Sequence, residues 1–503
     1  MEVSVFEADI THIDTPVLIV NLFKGVTNPE GATGSVDELL EKSITSLIAD
    51  KEITGAKGEL TLIHTLGKMK AKRILIVGLG EQESFTQNTV RFVIAEACRF
   101  LKSKGITRAS TILHGSGIGQ ISPEAAAKSI TEGSLLGLYT FNKYKQEDKK
   151  NSAGSLHLTI VDNDPAKIPL ITAGINTGKS ISEGVALARD LVNEPANILT
   201  PEEMANQATT IANRLNMSVT VLDKKQLQHN KMNALLAVGS GSTQEPRLII
   251  LKHEGDPANP DNHIAIVGKG ITFDSGGISL KPAAGMWEMK GDMGGGAAVL
   301  GAMQVIGSLK PKINVIGVVA AAENMPSGSA VHPGDIITAM SGTTIEVDNT
   351  DAEGRMALAD AVYYTEKVLG ITKIIDMATL TGAMITALGT VGTGILGSDQ
   401  DFVTSIISAG NRVDEKLWQL PLWDEYKEQN KSTWADIKNT GGRGGGAITA
   451  AFFIKAFIDK ASWAHLDIAG TFMAKENKGH VIKGATGTPV RTLVELITNM
   501  AAN

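Results

Sequence analysis

From Arg247 onward, short apolar runs alternate with longer stretches of helical spacing. The runs are Arg247-Leu-Ile-Ile-Leu, His263-Ile-Ala-Ile-Val, Ile313-Asn-Val-Ile-Gly-Val-Val-Ala and Lys373-Ile-Ile-Asp-Met-Ala. Such runs are apolar on both sides, so both faces of the sheet they form must be covered. The arrangement that achieves this is a mixed, largely parallel sheet flanked by helices. In sheets of this kind, sites form in the loops beyond the carboxyl ends of the strands.

A chain of 503 residues exceeds one ordinary core, so two domains are expected. The fold class is α/β, with a small N-terminal α/β domain over 1–165 and a larger C-terminal α/β domain over 166–503. In the first, 16–23, 73–80 and 155–162 read as strands, and 37–49 and 89–104 have helical spacing. The polar run 142–151 reads as a solvated loop. Asn163-Asp-Pro-Ala-Lys-Ile-Pro is the expected connection, followed by a helix over 172–192. Thr200, Pro201 and Glu203 then have the order of an N-cap, a first helical residue and a capping-box partner. A helix is expected over 356–369, with Gly370 at its end.

The net charge of −7 gives no general attraction to nucleic acid or anionic membrane. The single cysteine, Cys98, excludes a disulfide within the chain and suits a buried apolar position. The N-terminal residues lack the basic start and apolar run of a signal peptide. No run of about 18 uncharged apolar residues occurs, so no membrane span is expected and the cytoplasm is the simplest location.

Two glycine-rich stretches carry the chemistry. One runs from Val267-Gly-Lys-Gly-Ile-Thr-Phe-Asp through Lys281 to Met289-Lys-Gly-Asp; the other is Asn349-Thr-Asp-Ala-Glu-Gly-Arg. Asp274, Asp292, Asp351 and Glu353 offer hard oxygen donors, enough to balance most of the charge of two divalent ions. Lys269 could add a nitrogen, but only if neutral, which demands a strongly depressed pKa. The plainer alternative is that Lys269 pairs with a carboxylate. Lys281 and Arg355 remain as fixed positive charges beside the cluster. Gly294-Gly-Gly lacks the Lys-Ser or Lys-Thr of a phosphate cradle and suits close helix packing.

These stretches closely resemble the leucine aminopeptidase (cytosol aminopeptidase) family, of which Asn349-Thr-Asp-Ala-Glu-Gly-Arg is the signature. Asn193-Glu-Pro-Ala-Asn, Ala378-Thr-Leu-Thr-Gly-Ala and His465-Leu-Asp-Ile-Ala-Gly extend the likeness from about Ala188 to the end. The resemblance implies a metal-dependent aminopeptidase that releases N-terminal residues, preferably leucine-like, from peptides by a two-metal hydroxide mechanism. It implies that Lys269, Asp274, Asp292 and Glu353 hold one metal and Asp274, Asp351 and Glu353 the other, with manganese or zinc both suitable. Lys281 and Arg355 are then the catalytic residues, Arg355 holding a bicarbonate that shuttles the proton, since arginine itself is a poor base. Met289, Thr379, Leu380, Gly382, Ala469 and Phe472 fall at substrate-pocket positions, and Phe472 stands where some relatives have methionine. A homohexamer is also implied.

Rival motifs are weaker. Ala173-Gly-Ile-Asn-Thr-Gly-Lys-Ser fits a permissive P-loop pattern for ATP, but the segment before it holds two prolines and makes a poor strand. His253-Glu lacks a second zinc histidine at the required spacing, and no G-x-S-x-G elbow occurs. A two-metal phosphatase is chemically conceivable from carboxylates alone. A DNA-binding or architectural role, found in some bacterial relatives, finds no reader motif here.

Overall fold

The computed structural model describes residues 1–117, 120–146 and 154–502. The chain divides into two compact units, Met1–Ser182 with Glu476–Lys483, and Glu183–Lys475 with Gly484–Asn503. The polar run at 142–151 falls partly outside the described residues, at 147–151.

The first unit is built on strands β1 (Glu2–Glu7), β2 (Leu18–Phe23), β3 (Leu60–His64), β4 (Arg73–Gly80), β5 (Arg108–Thr111) and β6 (His157–Asp162). Their order is β1-β6-β5-β2-β4-β3, and only the β3–β4 pair is antiparallel. The helix Gln87–Ser103 buries Val90, Val93, Ile94, Ala97 and Leu101 at helical spacing, with Cys98 among them. Burial pushes the Cys98 thiol up to about 12, as expected of an inert packing cysteine. The single helix expected over 37–49 is two, Gly31–Leu39 and Ser43–Ala49. Buried Asp37 is the reason: its Oδ1 accepts from Ile44 N (2.7 Å) and Thr45 N (3.2 Å), capping the second helix. Glu41 and Lys42 make the break with φ of 54° and 59°.

The expected connection is shorter than read, because a helix already begins at Ile168 and runs to Asn193. Residues 173–180 therefore lie inside a helix, where backbone amides are committed to the helix ladder and cannot cradle phosphate. Gly174 and Gly178 serve close packing instead: a Cβ would come 2.2 Å from Glu124 O and 2.7 Å from Lys128 O. The P-loop alternative is overturned.

The second unit holds β7 (Ser218–Leu222), β8 (Arg247–Glu254), β9 (His263–Asp274), β10 (Asn314–Asn324), β11 (Ile336–Thr338), β12 (Thr344–Glu346), β13 (Lys373–Ala378), β14 (Thr393–Gly397), β15 (Leu417–Gln419), β16 (Ile437–Lys438) and β17 (Ser462–Asp467). Eight of these form the main sheet, in the order β15-β14-β17-β13-β9-β10-β8-β7. The central β17, β13, β9 and β10 are mutually parallel, while β7, β8 and β14 run against their inner neighbours. On one face pack Met356, Leu358 and Val362 of the helix Glu353–Lys367 and Ala447 and Phe453 of Gly446–Lys455. On the other lies Gly294–Leu309, brought close by glycine on both sides: a Cβ on Gly295 would be 2.1 Å from Met377 O, and one on Gly268 2.5 Å from Gly295 O. Among the described residues no helix is long and apolar enough to cross a membrane.

Candidate metal centre

The β9 run extends further than its sequence pattern suggests, so Lys269 stands within the strand and Asp274 ends it. The side chains of Lys269 and Asp274 differ by an odd number of residues and would face opposite ways on a regular strand. A bulge prevents this. Lys269 lies opposite Ala320 and Ile271 opposite Ala322, but the register then shifts, so that Asp274 meets Asn324. One extra residue returns Asp274 to the face that Lys269 occupies. Asn324 Nδ2 donates to Asp274 Oδ1 at 2.8 Å and to Thr350 O at 3.1 Å, joining the two glycine-rich stretches.

Asp351 and Glu353 stand at the amino end of the helix Glu353–Lys367, where backbone amides and the helix dipole favour negative charge. The preceding loop is tied down by Asn439, whose Oδ1 accepts from Asp348 N (2.9 Å) and Asn349 N (3.2 Å) while Nδ2 donates to Asn349 O (2.7 Å). Thr350 Oγ1 donates to Gly276 O (2.6 Å) and accepts from Ser279 N (2.8 Å). Gly276 needs its positive φ of 87°, and a Cβ there would be 2.7 Å from Asp351 Oδ1. Asp292 closes a short 3-10 turn and is held through Oδ1 by the Thr379 hydroxyl at 2.8 Å.

Two lysines sit among these acids. Lys269 Nζ lies 2.8 Å from Asp292 and 2.7 Å from Glu353, and donates to Thr379 O at 3.1 Å. Lys281 Nζ lies 2.7 Å from Asp274 and 2.5 Å from Asp351. Carboxylate oxygens of Asp274, Asp351 and Glu353 all lie within 4.8 Å of one another. Buried oxygens of Asp292, Asp351 and Glu353 accept no well-formed hydrogen bond and are met by the lysine ammonium groups. Hard oxygen donors, buried and convergent, are a set that divalent ions fit.

Burial raises the carboxyl pKa of Asp274, Asp292 and Asp351, and the neighbouring acids add to it. Burial pulls Lys269 down, but the charge of Asp292, Glu353 and Asp274 outweighs it and holds the ammonium well above the ordinary lysine range. Among the carboxylates alone, Lys269 is thus an ion-pair partner, the plainer of the two sequence readings. Dications among the same oxygens would reverse that field. Lys281 is likewise raised by Asp274 and Glu353 against its burial. Burial lowers Arg355 to about 10, opposed by Glu353 and Asp467. Its Nη1 donates to Asn439 O at 2.8 Å, and its Nε is buried without a hydrogen-bond partner.

The remaining expected positions have distinct settings. Met289 lies in the same 3-10 turn that Asp292 closes, and Phe472 lies against Gly291, where a Cβ would be 2.6 Å from its ring. Leu380 packs at the edge of the core, and Gly382 opens a short helix with free space where its Cβ would be. Leu380 N and Ala469 N both donate to Asp467 Oδ1 at 3.2 Å. Sequence reasoning gave no role to Asn324, Asn439 or Asp467. Their chemistry is ordinary in one dimension, and only the fold places them behind the acids.

A family model described as the cytosol aminopeptidase family, catalytic domain, matches residues 186–494, and another, described as its N-terminal domain, matches 19–148. The chain is 43% identical over 500 residues to a probable cytosol aminopeptidase of Alkaliphilus oremlandii, covering 99% of this chain and 100% of the relative. A mutant form of tomato leucine aminopeptidase superposes with a TM-score of 0.88 at 34% identity, over 99% of this chain and 96% of that one. The bottromycin maturation enzyme BotP in complex with Mn superposes with a TM-score of 0.84 at 31% identity, over 97% and 99%.

Proposed function

The chain belongs to the cytosol aminopeptidase family, and from that premise we propose how its own residues divide the work. It is a metal-dependent aminopeptidase, a hydrolase that acts on peptides and binds divalent metal ions. Lys269, Asp274, Asp292 and Glu353 would hold one ion, and Asp274, Asp351 and Glu353 the other. When bound, the ions supply a water of lowered pKa and Lewis-acid pull on the scissile carbonyl. Manganese and zinc both suit the donor set.

Lys281 is the electrophilic side chain. Its ammonium donates to the carbonyl oxygen as negative charge grows there, a role worth about 10²–10³ in rate for a comparable donor. Arg355 remains protonated at neutral pH, so it holds an anion and cannot take a proton. Its unpartnered buried Nε is the donor on which bicarbonate would sit. Met289, Thr379, Leu380, Gly382, Ala469 and Phe472 shape the pocket for the first residue of the peptide, which is leucine-like. The chain works as a cytoplasmic homohexamer, with 1–165 as accessory domain and 166–503 as peptidase domain.

The convergence of Asp274, Asp351 and Glu353 oxygens within 4.8 Å carries this assignment. Release of leucine from Leu-anilide and N-acetyl-Leu-anilide tests it, with and without chelator and added Mn²⁺. The free-amine substrate should be cleaved only with metal, and the blocked one hardly at all. Equal cleavage of both, or preference for a phosphate ester, rejects the assignment.

A further inference from the structure

Four residues before Leu380 and Ala469, the sheet contains a fully buried pair of an aspartate and a histidine. Asp376 of β13 lies opposite His465 of β17, and Ala378 lies opposite Asp467. His465 Nδ1 is 2.5 Å from Asp376 Oδ1, and Trp463 Nε1 donates to Asp376 Oδ2 at 2.6 Å. All three are inaccessible to solvent. The Trp463 and His465 rings stack with an interplanar angle of 17°. His465 Nε2 is buried and makes no hydrogen bond.

Ile374, Ala378 and Val267 are among the apolar residues buried around this pair, and nothing about the β-ladder requires a polar pair there. Burying an ion pair contributes little net stability compared with apolar residues of the same shape. What the pair does have is a position. Asp467, two residues further along β17, binds three groups: Leu380 N, Ala469 N and the Thr381 hydroxyl, the last at 2.6 Å. These belong to the two loops that follow β13 and β17. Asp467 lies within electrostatic reach of both His465 and Arg355. Asp376, His465, Asp467 and Arg355 therefore alternate in sign when His465 is charged. Burial disfavours that charge, but Asp376 and Asp467 outweigh it against the opposition of Arg355, and the imidazole is held above its ordinary range.

We propose that Asp376 and His465 are positioning residues for substrate: their buried contact ties β13 to β17 two residues before Asp467, which holds the Leu380 and Ala469 loops at the spacing the incoming residue requires. The proposal rests on the assignment of those loops to the substrate pocket. Neither residue touches substrate or metal, so the effect should appear in substrate binding and leave metal content unchanged.

The test uses the full-length, metal-loaded enzyme. Asp376→Asn keeps the shape and removes the charge; His465→Gln removes the ring. Both should raise KM for Leu-anilide about tenfold, with kcat within about threefold and metal content per subunit unchanged. Asp376→Glu should recover part of the loss. Histidine-selective ¹⁵N NMR of the wild-type enzyme should show one imidazole whose Nδ1 is hydrogen-bonded to a carboxylate, absent in His465→Gln and shifted in Asp376→Asn. An unchanged KM in folded, metal-loaded variants overturns the proposal, and so does a His465 signal that Asp376→Asn leaves in place. A wild-type enzyme that fails to cleave Leu-anilide would count against the aminopeptidase assignment, and the NMR result would still decide on the pair.

Discussion

Gly354 shows how closely the site is fitted to its own backbone. It follows Glu353 in the first turn of its helix, and a Cβ there would lie 2.5 Å from both Cε and Nζ of Lys269. Lys269 is enclosed by Asp292, Glu353 and Thr379 O, so it has little room to give way. Gly354→Ala should therefore displace the Lys269 amine. The helix itself gains from alanine, by about 1 kcal/mol, while the overpacking costs about 1–3 kcal/mol. The expected result is a folded protein of near-normal stability whose metal affinity, measured by Mn²⁺ titration calorimetry, drops at least tenfold. Normal Mn²⁺ affinity in this variant would remove Lys269 from the ligand set. The acids and lysines were legible in the sequence because carboxylates crowded between glycines have few other uses. The bulge that turns Asp274 toward Lys269 was not, since the apolar run of β9 carries no mark of its extra residue.

At the level of elements, the strands of the central sheet were readable because they are continuously apolar, and β4 and β13 match their expected limits. The break at Glu41 and Lys42 was not, because it depends on where the Asp37 carboxylate points. The capping box at Thr200 is half realised: Thr200 Oγ1 accepts from Glu203 N at 3.2 Å, while Glu203 turns to Gln207 at 2.7 Å. Asn439 is the element-scale residue that sequence could not reveal. It lies beyond β16, far along the chain from the 348–349 loop, yet satisfies that loop's amides and supplies the carbonyl that Arg355 Nη1 binds. Asn439→Ala removes the acceptor of two partly buried amides, at about 1 kcal/mol each, the net worth of a hydrogen bond. Urea unfolding should show a loss of that order, with the midpoint shifted and the slope unchanged. Turnover should fall as well, because Asp351 and Glu353 are carried by the loop and helix that Asn439 fixes. A variant with wild-type stability would mean the loop holds its shape without Asn439.

For the whole molecule, the division into two units decides how metal should register in stability. Every proposed ligand lies in the unit Glu183–Lys475 with Gly484–Asn503, and so do all five tryptophans, at 287, 418, 423, 434 and 463. Tryptophan fluorescence therefore reports the unfolding of the metal-bearing unit alone, whereas circular dichroism reports both. Ions that bind the native form and not the unfolded chain stabilise by about 2.7 kcal/mol per independent site at a hundredfold excess over Kd. Without ions, Lys269 and Lys281 already pair with the acids, so chelation should leave a folded, inactive protein. Adding Mn²⁺ to chelator-treated protein should then move the tryptophan transition upward with Mn²⁺ concentration. Lys281→Ala, which keeps all the carboxylates, should still show the shift, while Glu353→Gln, which removes a charge proposed to serve both ions, should lose most of it. If circular dichroism resolves a second transition, that of the unit Met1–Ser182 with Glu476–Lys483 should stay in place. A single transition that moves as one would mean that the units unfold together. A tryptophan transition indifferent to Mn²⁺ would instead show that these carboxylates hold no ion.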